Sequence, residues 1–142
     1  MAAVSDYSDG YIAGARENVE AATLYYNQVL ITAWSSYAAD KGAEAAANRQ
    51  TALGVRANVA SRQEFNAAQD VYDKASRTFQ DRRYEEAAIG FEDSISRFET
   101  AVVVTRQKRT AAEEALERAN QMLADSDERA RSAEIILEGG EE

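Results

Sequence analysis

Residues 65–98, FNAAQDVYDKASRTFQDRRYEEAAIGFEDSISRF, hold the pattern that decides the fold. Apolar residues recur every three or four positions on both sides of a short polar turn at residues 80–83, which is typical of two amphipathic helices joined as a hairpin. Small residues stand where the helices must touch: Ala75 on the first, and Ala87 and Ser94 on the second. Because one hairpin cannot bury its apolar face alone, we expect it to stack on neighbouring helices. Aromatic residues fill the space between the two helices: Tyr72, Phe79, Tyr84 and Phe91.

The composition favours long helices and argues against several kinds of chemistry. The 142 residues contain no proline and seven glycines, so the strongest helix breaker is absent. There is no cysteine and no histidine, which excludes disulfides and removes the commonest general base and neutral metal ligand. We therefore expect an all-α protein that is not an enzyme and needs no cofactor or metal.

The charge is acidic and unevenly spread. The net charge is −9, and residues 110–142 hold ten acids against three bases. An acidic surface argues against nucleic acid as a partner, because binding to the phosphate backbone depends on cationic side chains. No apolar run is long enough to predict direct insertion into a membrane. One basic cluster, Arg106, Lys108 and Arg109, is interpreted as a solvated turn of helix, with a contact to phosphate or an acidic partner as the alternative.

The N-terminal part predicts two helices. A row of apolar residues at 3–4 spacing predicts helix 1 from about residue 9 to residue 39, and Asp40-Lys41-Gly42 is the first stop signal. An alanine-rich stretch predicts helix 2 over about residues 43–59, and its continuity with either neighbour stays open. The expected stripe of helix 1 consists of Ile12, Ala15, Val19, Ala22, Tyr26, Val29 and Ala33.

The rest of the chain predicts a short helix and a very long one. Ser61 and Glu64 form a capping-box sequence, so helix 3 is predicted from there to Gln80. Helix 4 begins near Tyr84 and meets no stop before Gly139. These bounds divide one domain, residues 1–142, into N-terminal helices (1–60), a hairpin (61–104) and an extension of the last helix (105–138).

The extension of helix 4 has a regular but thin apolar row. Its large residues are few, so the row should find a partner helix. Because its charge is strongly negative, we expect antiparallel pairing, either on the N-terminal helix of the same chain or on a second copy. The row is Ala112, Leu116, Ala119, Leu123, Ala130 and Ala133.

The hairpin resembles a tetratricopeptide repeat. Tyr84, Ala87 and Phe91 fit the family's aromatic and alanine positions on the second helix, and Ala75 and Phe79 fit positions on the first. The sequence departs from the family at its turn, where Arg82 stands in place of glycine or aspartate, and it lacks the helix-ending proline. The resemblance implies stacked antiparallel helical hairpins and a role in binding proteins.

A second resemblance covers residues 56–98, which are similar to repeat-like segments of spirochaete, notably treponemal, envelope proteins. It implies a periplasmic or cell-envelope location and no enzymatic activity. The tail, Glu138 followed by two glycines and two glutamates, also leads us to expect a fragment of a longer protein.

The aromatic residues suggest where a partner would bind. Tyr25 and Tyr26 are adjacent, so they cannot both face one neighbour, and at least one should be exposed. The hypothesis is a peptide or helix of a partner protein laid in a groove between helices 1 and 3, in a role of protein–protein interaction or scaffolding. The alternatives are a coiled-coil spacer that forms homo-oligomers through the C-terminal helix, and a carrier of a small apolar ligand under Trp34 and Tyr72. The candidate groove residues are Tyr25, Tyr26, Trp34, Tyr37 and Tyr72.

Overall fold

The chain consists almost entirely of helix. The computed structural model describes residues 2–138, and side chains from residue 10 to residue 136. Within that range there are four helices and no strand, which confirms the all-α prediction. The helices are α1 (Ala2–Gly54), α2 (Ala57–Ala60), α3 (Arg62–Gln80) and α4 (Tyr84–Glu138).

Helix α1 is a single helix of 53 residues, so the predicted start near residue 9 and the predicted stop at Gly42 are wrong. Most of the predicted helix 2 is a continuation of helix 1, which answers the question that the sequence left open. Glycine inside a helix costs about 1 kcal/mol relative to alanine, and here packing offsets that cost. A Cβ built on Gly42 would lie 3.2 Å from the ring of Phe91. Gly42 therefore allows close approach of α4 and does not end the helix.

Helix α1 ends at Gly54. The chain then turns at Arg56, which adopts the left-handed conformation with φ 63°. Helix α3 begins directly after Ser61, as predicted, but Ser61 makes no capping hydrogen bond with its side chain. The Oγ of Ser61 instead accepts a buried hydrogen bond of 3.0 Å from Oγ1 of Thr105 on α4. The predicted capping box is therefore wrong in mechanism, although the predicted bounds of α3 and α4 are confirmed.

Helix α4 is the centre of a three-helix bundle. Helices α1 and α3 each pack mainly on α4 and touch each other in few places. One apolar cluster joins Ala38 and Ala75 to Phe91, and the other joins Ala52 and Phe65 to the region of Phe98. Residue numbers rise together along α1 and α4 and fall along α3. Helices α1 and α4 are therefore parallel, and α3 is antiparallel to both.

Both long helices continue beyond the bundle, in opposite directions. We call residues 10–33 of α1 the N-terminal arm and residues 106–136 of α4 the C-terminal arm. All residues of both arms are exposed except the half-buried Gly14. At 1.5 Å per residue the arms are roughly 35 Å and 45 Å long. The expected antiparallel packing of the C-terminal segment on its own N-terminal helix is wrong, because the parallel course of α1 and α4 carries the two arms apart.

Candidate interaction surfaces

The predicted aromatic residues lie in three different places. Tyr25 and Tyr26 are on the N-terminal arm, 76% and 65% exposed, which confirms that at least one of them is accessible. Trp34 and Tyr72 are half-buried and pack against the first apolar cluster. Tyr37 is exposed at the edge of the bundle. The structure therefore brings none of the exposed tyrosines of the arm together with Tyr72.

Tyr37 links α1 to α4 at the edge of the bundle. Its hydroxyl donates a 2.5 Å hydrogen bond to Oε1 of Glu92, and its ring stacks edge-on against Trp34, with centroids 5.9 Å apart. The hydrogen bond to Glu92 raises the pKa of Tyr37, and desolvation and the negative charge of the same carboxylate act in the same direction. Nζ of Lys41 lies 5.8 Å from the Tyr37 ring. Tyr37 is thus already engaged within the chain.

The space between α1 and α3, where the groove was predicted, is crossed by a polar contact. Nε of Arg49 on α1 donates a 2.5 Å hydrogen bond to Oε1 of Gln69 on α3. The amide of Gln69 then donates to Asp73, at 2.9 Å. Tyr72 points its ring into the core, 5.7 Å from Phe91. A peptide lying along this groove would have to displace the Arg49–Gln69 contact.

The basic cluster lies where the C-terminal arm leaves the bundle. Nζ of Lys108 donates a 2.8 Å hydrogen bond to the carbonyl oxygen of Ala60, so this side chain holds α4 to the end of α2. Arg56, in the break after α1, lines the same shallow depression as Lys108 and Arg109, and Arg106 is exposed. Sequence analysis missed Arg56, although Gly54, two residues earlier, is of the residue type most often found where a helix ends.

The N-terminal arm exposes the most unusual surface. This arm is rich in large apolar residues, which a helix normally buries, and it has only three charged residues, Arg16, Glu17 and Glu20, but none of its residues is buried. No helix within residues 2–138 is both long and apolar enough to cross a membrane. Such a surface marks a site of interaction. Its exposed large residues are Tyr11, Ile12, Val19, Leu24, Tyr25, Tyr26, Val29, Leu30 and Ile31.

The C-terminal arm exposes a leaner row. Leu116 and Leu123 are 64% and 66% exposed, with alanines between them at helical spacing. The row continues the face of α4 that carries Val102 and Thr105 inside the bundle, where both residues are buried. The arm therefore has the spacing of a packed helix and, among the described residues, no helix packed on it.

Comparisons with family models, curated proteins and solved structures found no match to this chain.

Proposed function

We propose that this chain is a non-enzymatic structural module, a helical spacer that binds other proteins through its two arms. A single observation carries the proposal: both arms are long, exposed helices with apolar rows, and they leave opposite ends of one bundle. Inside the bundle the parallel helices α1 and α4 are joined side by side through two apolar clusters, as in a rigid connector. Proteins bound to the two arms are thereby held apart.

The length of the spacer can be calculated from the point at which α1 and α4 lie side by side. Gly42 of α1 lies against Phe91 of α4, so residues before Gly42 extend one way and residues after Phe91 the other. With a rise of 1.5 Å per residue, the distance from Ala2 to Glu138 is roughly 130 Å if both helices are straight. That length suits a spacer.

The exposed surfaces of the arms are better suited to pairing with another helix than to holding a peptide in a groove. The exposed large residues lie on the arms, whereas the space between α1 and α3 is bridged by Arg49 and Gln69. An exposed amphipathic helix binds by laying its apolar row against another helix, using residues at 3–4 spacing as anchors. We therefore propose helical partners for the arms. A bacterial envelope setting, which the spirochaete resemblance implies, is part of the proposal.

Small-angle X-ray scattering at high dilution tests the spacer. We expect a rod with a radius of gyration of about 35 Å, as the helical rise implies. A globule of the same chain length would have about 14 Å. A value near that of the globule would mean that the arms fold back onto the bundle, and the proposed function would then fail.

A further inference from the structure

We propose that the two arms bind each other between copies of this chain. The C-terminal arm of one copy lies parallel to the N-terminal arm of the next, so that copies join head to tail. This inference rests on the proposed function, because it needs both arms to be free of the bundle. It names the partner of each arm as a second copy of the same chain.

The directions of α1 and α4 allow this pairing without any change in the bundle. Within one copy α1 and α4 are parallel, and their arms extend from opposite ends. Moving a second copy along the long axis therefore brings its N-terminal arm beside the C-terminal arm of the first, with both helices running the same way. The row of the C-terminal arm continues the buried face of α4 beyond Val102 and Thr105.

The two rows match position by position. In the N-terminal row, successive members are alternately three and four residues apart, and the C-terminal row has the same order of spacings. A single offset then pairs the members of the two rows over three heptads, as in a parallel coiled coil. The pairs are Ile12 with Leu116, Ala15 with Ala119, Val19 with Leu123, Ala22 with Ser126, Tyr26 with Ala130, and Val29 with Ala133.

Alignments shifted by one heptad would also keep the two rows facing each other, but the lengths of the arms favour the alignment given above. At this offset Ala2 of the next copy lies level with Arg106, just past Thr105, the last buried residue of the bundle. A shift of one heptad towards the bundle would push the start of α1 against residues 99–105, where α4 is already covered. A shift the other way would set Ser5 and Ser8, which are polar, level with Leu116 and Ala119.

Size and charge favour this pairing over pairing of identical arms. Two C-terminal arms would face alanine with alanine at several levels, which buries little apolar surface. The N-terminal arm places Tyr26 and Val29 opposite Ala130 and Ala133, which fills the interface there. Ile12 and Val19 remain opposite the two leucines, so the unlike pair buries more apolar surface. The C-terminal arm, residues 106–136, holds seven acids and six bases, and parallel pairing of two such arms would set each charge level with its own copy, whereas the N-terminal arm holds only two acids and one base. Joining unlike arms therefore brings fewer like charges together.

Sedimentation equilibrium with two blocked variants tests the head-to-tail arrangement. Val19→Glu blocks the N-terminal arm and Leu123→Glu blocks the C-terminal arm; both positions are exposed, so circular dichroism should show folded chains. We expect wild type to form a series of species that grows with concentration, and each variant alone to be monomeric. An equal mixture should form dimers and nothing larger, because only one good arm remains on each chain.

Other outcomes would overturn the inference in distinguishable ways. Dimerisation of Leu123→Glu alone would mean that N-terminal arms pair with each other, and dimerisation of Val19→Glu alone would mean that C-terminal arms do. A wild-type chain that stays monomeric up to millimolar concentration would exclude pairing of copies. In each case a rod-like scattering profile at high dilution would leave the spacer function standing.

The register is tested by disulfide cross-linking, which is clean because the chain has no cysteine. Facing core positions of parallel paired helices bring Cα atoms to distances that a disulfide spans. A mixture of Val19→Cys and Leu123→Cys chains should therefore give the heterodimer in high yield. Glu128→Cys, on another face of the C-terminal arm, is the matched control. Equal yields with Leu123→Cys and Glu128→Cys would show that the proposed register is wrong.

Discussion

Gly90 of α4 lies directly against Ala75 of α3, so closely that a Cβ built on Gly90 would fall 2.8 Å from the Cβ of Ala75. The hairpin therefore has a close approach at Gly90, one helical turn after Ala87, the residue that the repeat-like pattern indicated. Both elements are rigid here, because the atom that would be struck is itself a Cβ next to the backbone. Relief would need the two helices to move apart.

We accordingly expect Gly90→Ala to destabilise the bundle by about 1–3 kcal/mol through overpacking, even though alanine favours helix by about 1 kcal/mol over glycine. Urea unfolding followed by circular dichroism measures the change. Gly54→Ala is the control, because nothing lies within 4 Å of a Cβ at that position. A stability gain in Gly90→Ala equal to any gain in the control would mean that the helices are less close than described.

Ala87 and Ala88 should both be sensitive to enlargement. The hairpin pattern alone predicts that Ala88→Leu is much milder than Ala87→Leu, but the two residues are 0% and 1% exposed. The difference disappears because α4 is covered from two sides, by α1 and by α3. We expect each substitution to cost about 1–3 kcal/mol in free energy of unfolding. Ile89→Leu, at an exposed position between Ala88 and Gly90, should change stability by less than about 0.5 kcal/mol.

Ser61 and Thr105 should be energetically coupled. Their buried hydrogen bond ties the start of α3 to the last buried turn of α4, so Thr105→Val leaves the Ser61 hydroxyl without that donor, at a cost of about 1–3 kcal/mol. In a double-mutant cycle with Ser61→Ala, the double variant should lose less than the sum of the single losses. Thr100→Val is the control, since that hydroxyl is exposed and bonds only within its own helix. Strict additivity would mean that the bond contributes nothing.

Stability should decline at high pH through Tyr37. The folded-state pKa of Tyr37 is raised above its ordinary value of 10.0, chiefly because its hydroxyl donates to Glu92. The contribution of this bond is therefore fully present below pH 10 and is lost as the pH rises through the folded-state pKa. Titration of ¹³C-labelled tyrosine rings by NMR measures it, with Tyr37→Phe identifying the signal. Glu92→Ala should lower the pKa of Tyr37; an unchanged titration would show that the bond does not form in solution.

The bounds of α3 and α4 could be predicted because their signals are local. Apolar residues repeat at helical spacing from Phe65 to Phe98, the polar turn at residues 80–83 separates two such rows, and nothing interrupts the second row before Gly139. Helical spacing, the absence of proline and the small residues at contact points depend only on neighbours along the chain. The same local signals predicted an exposed tyrosine at Tyr25 or Tyr26.

Tertiary contacts decided the rest. The sequence predicts that Gly42 ends a helix, but Gly42 lies within α1. The ring of Phe91 packs against Gly42, where a side chain would leave it too little room. Ser61 has the sequence of a cap, but its hydroxyl is taken by Thr105, which lies 44 residues further along the chain. An apolar row such as that of Ile12 and Val19 predicts that this face of the helix packs against a partner, but it does not identify the partner. Whether α1 ends inside the bundle or runs past it depends on which helices pack side by side, and that pairing joins residues far apart in sequence.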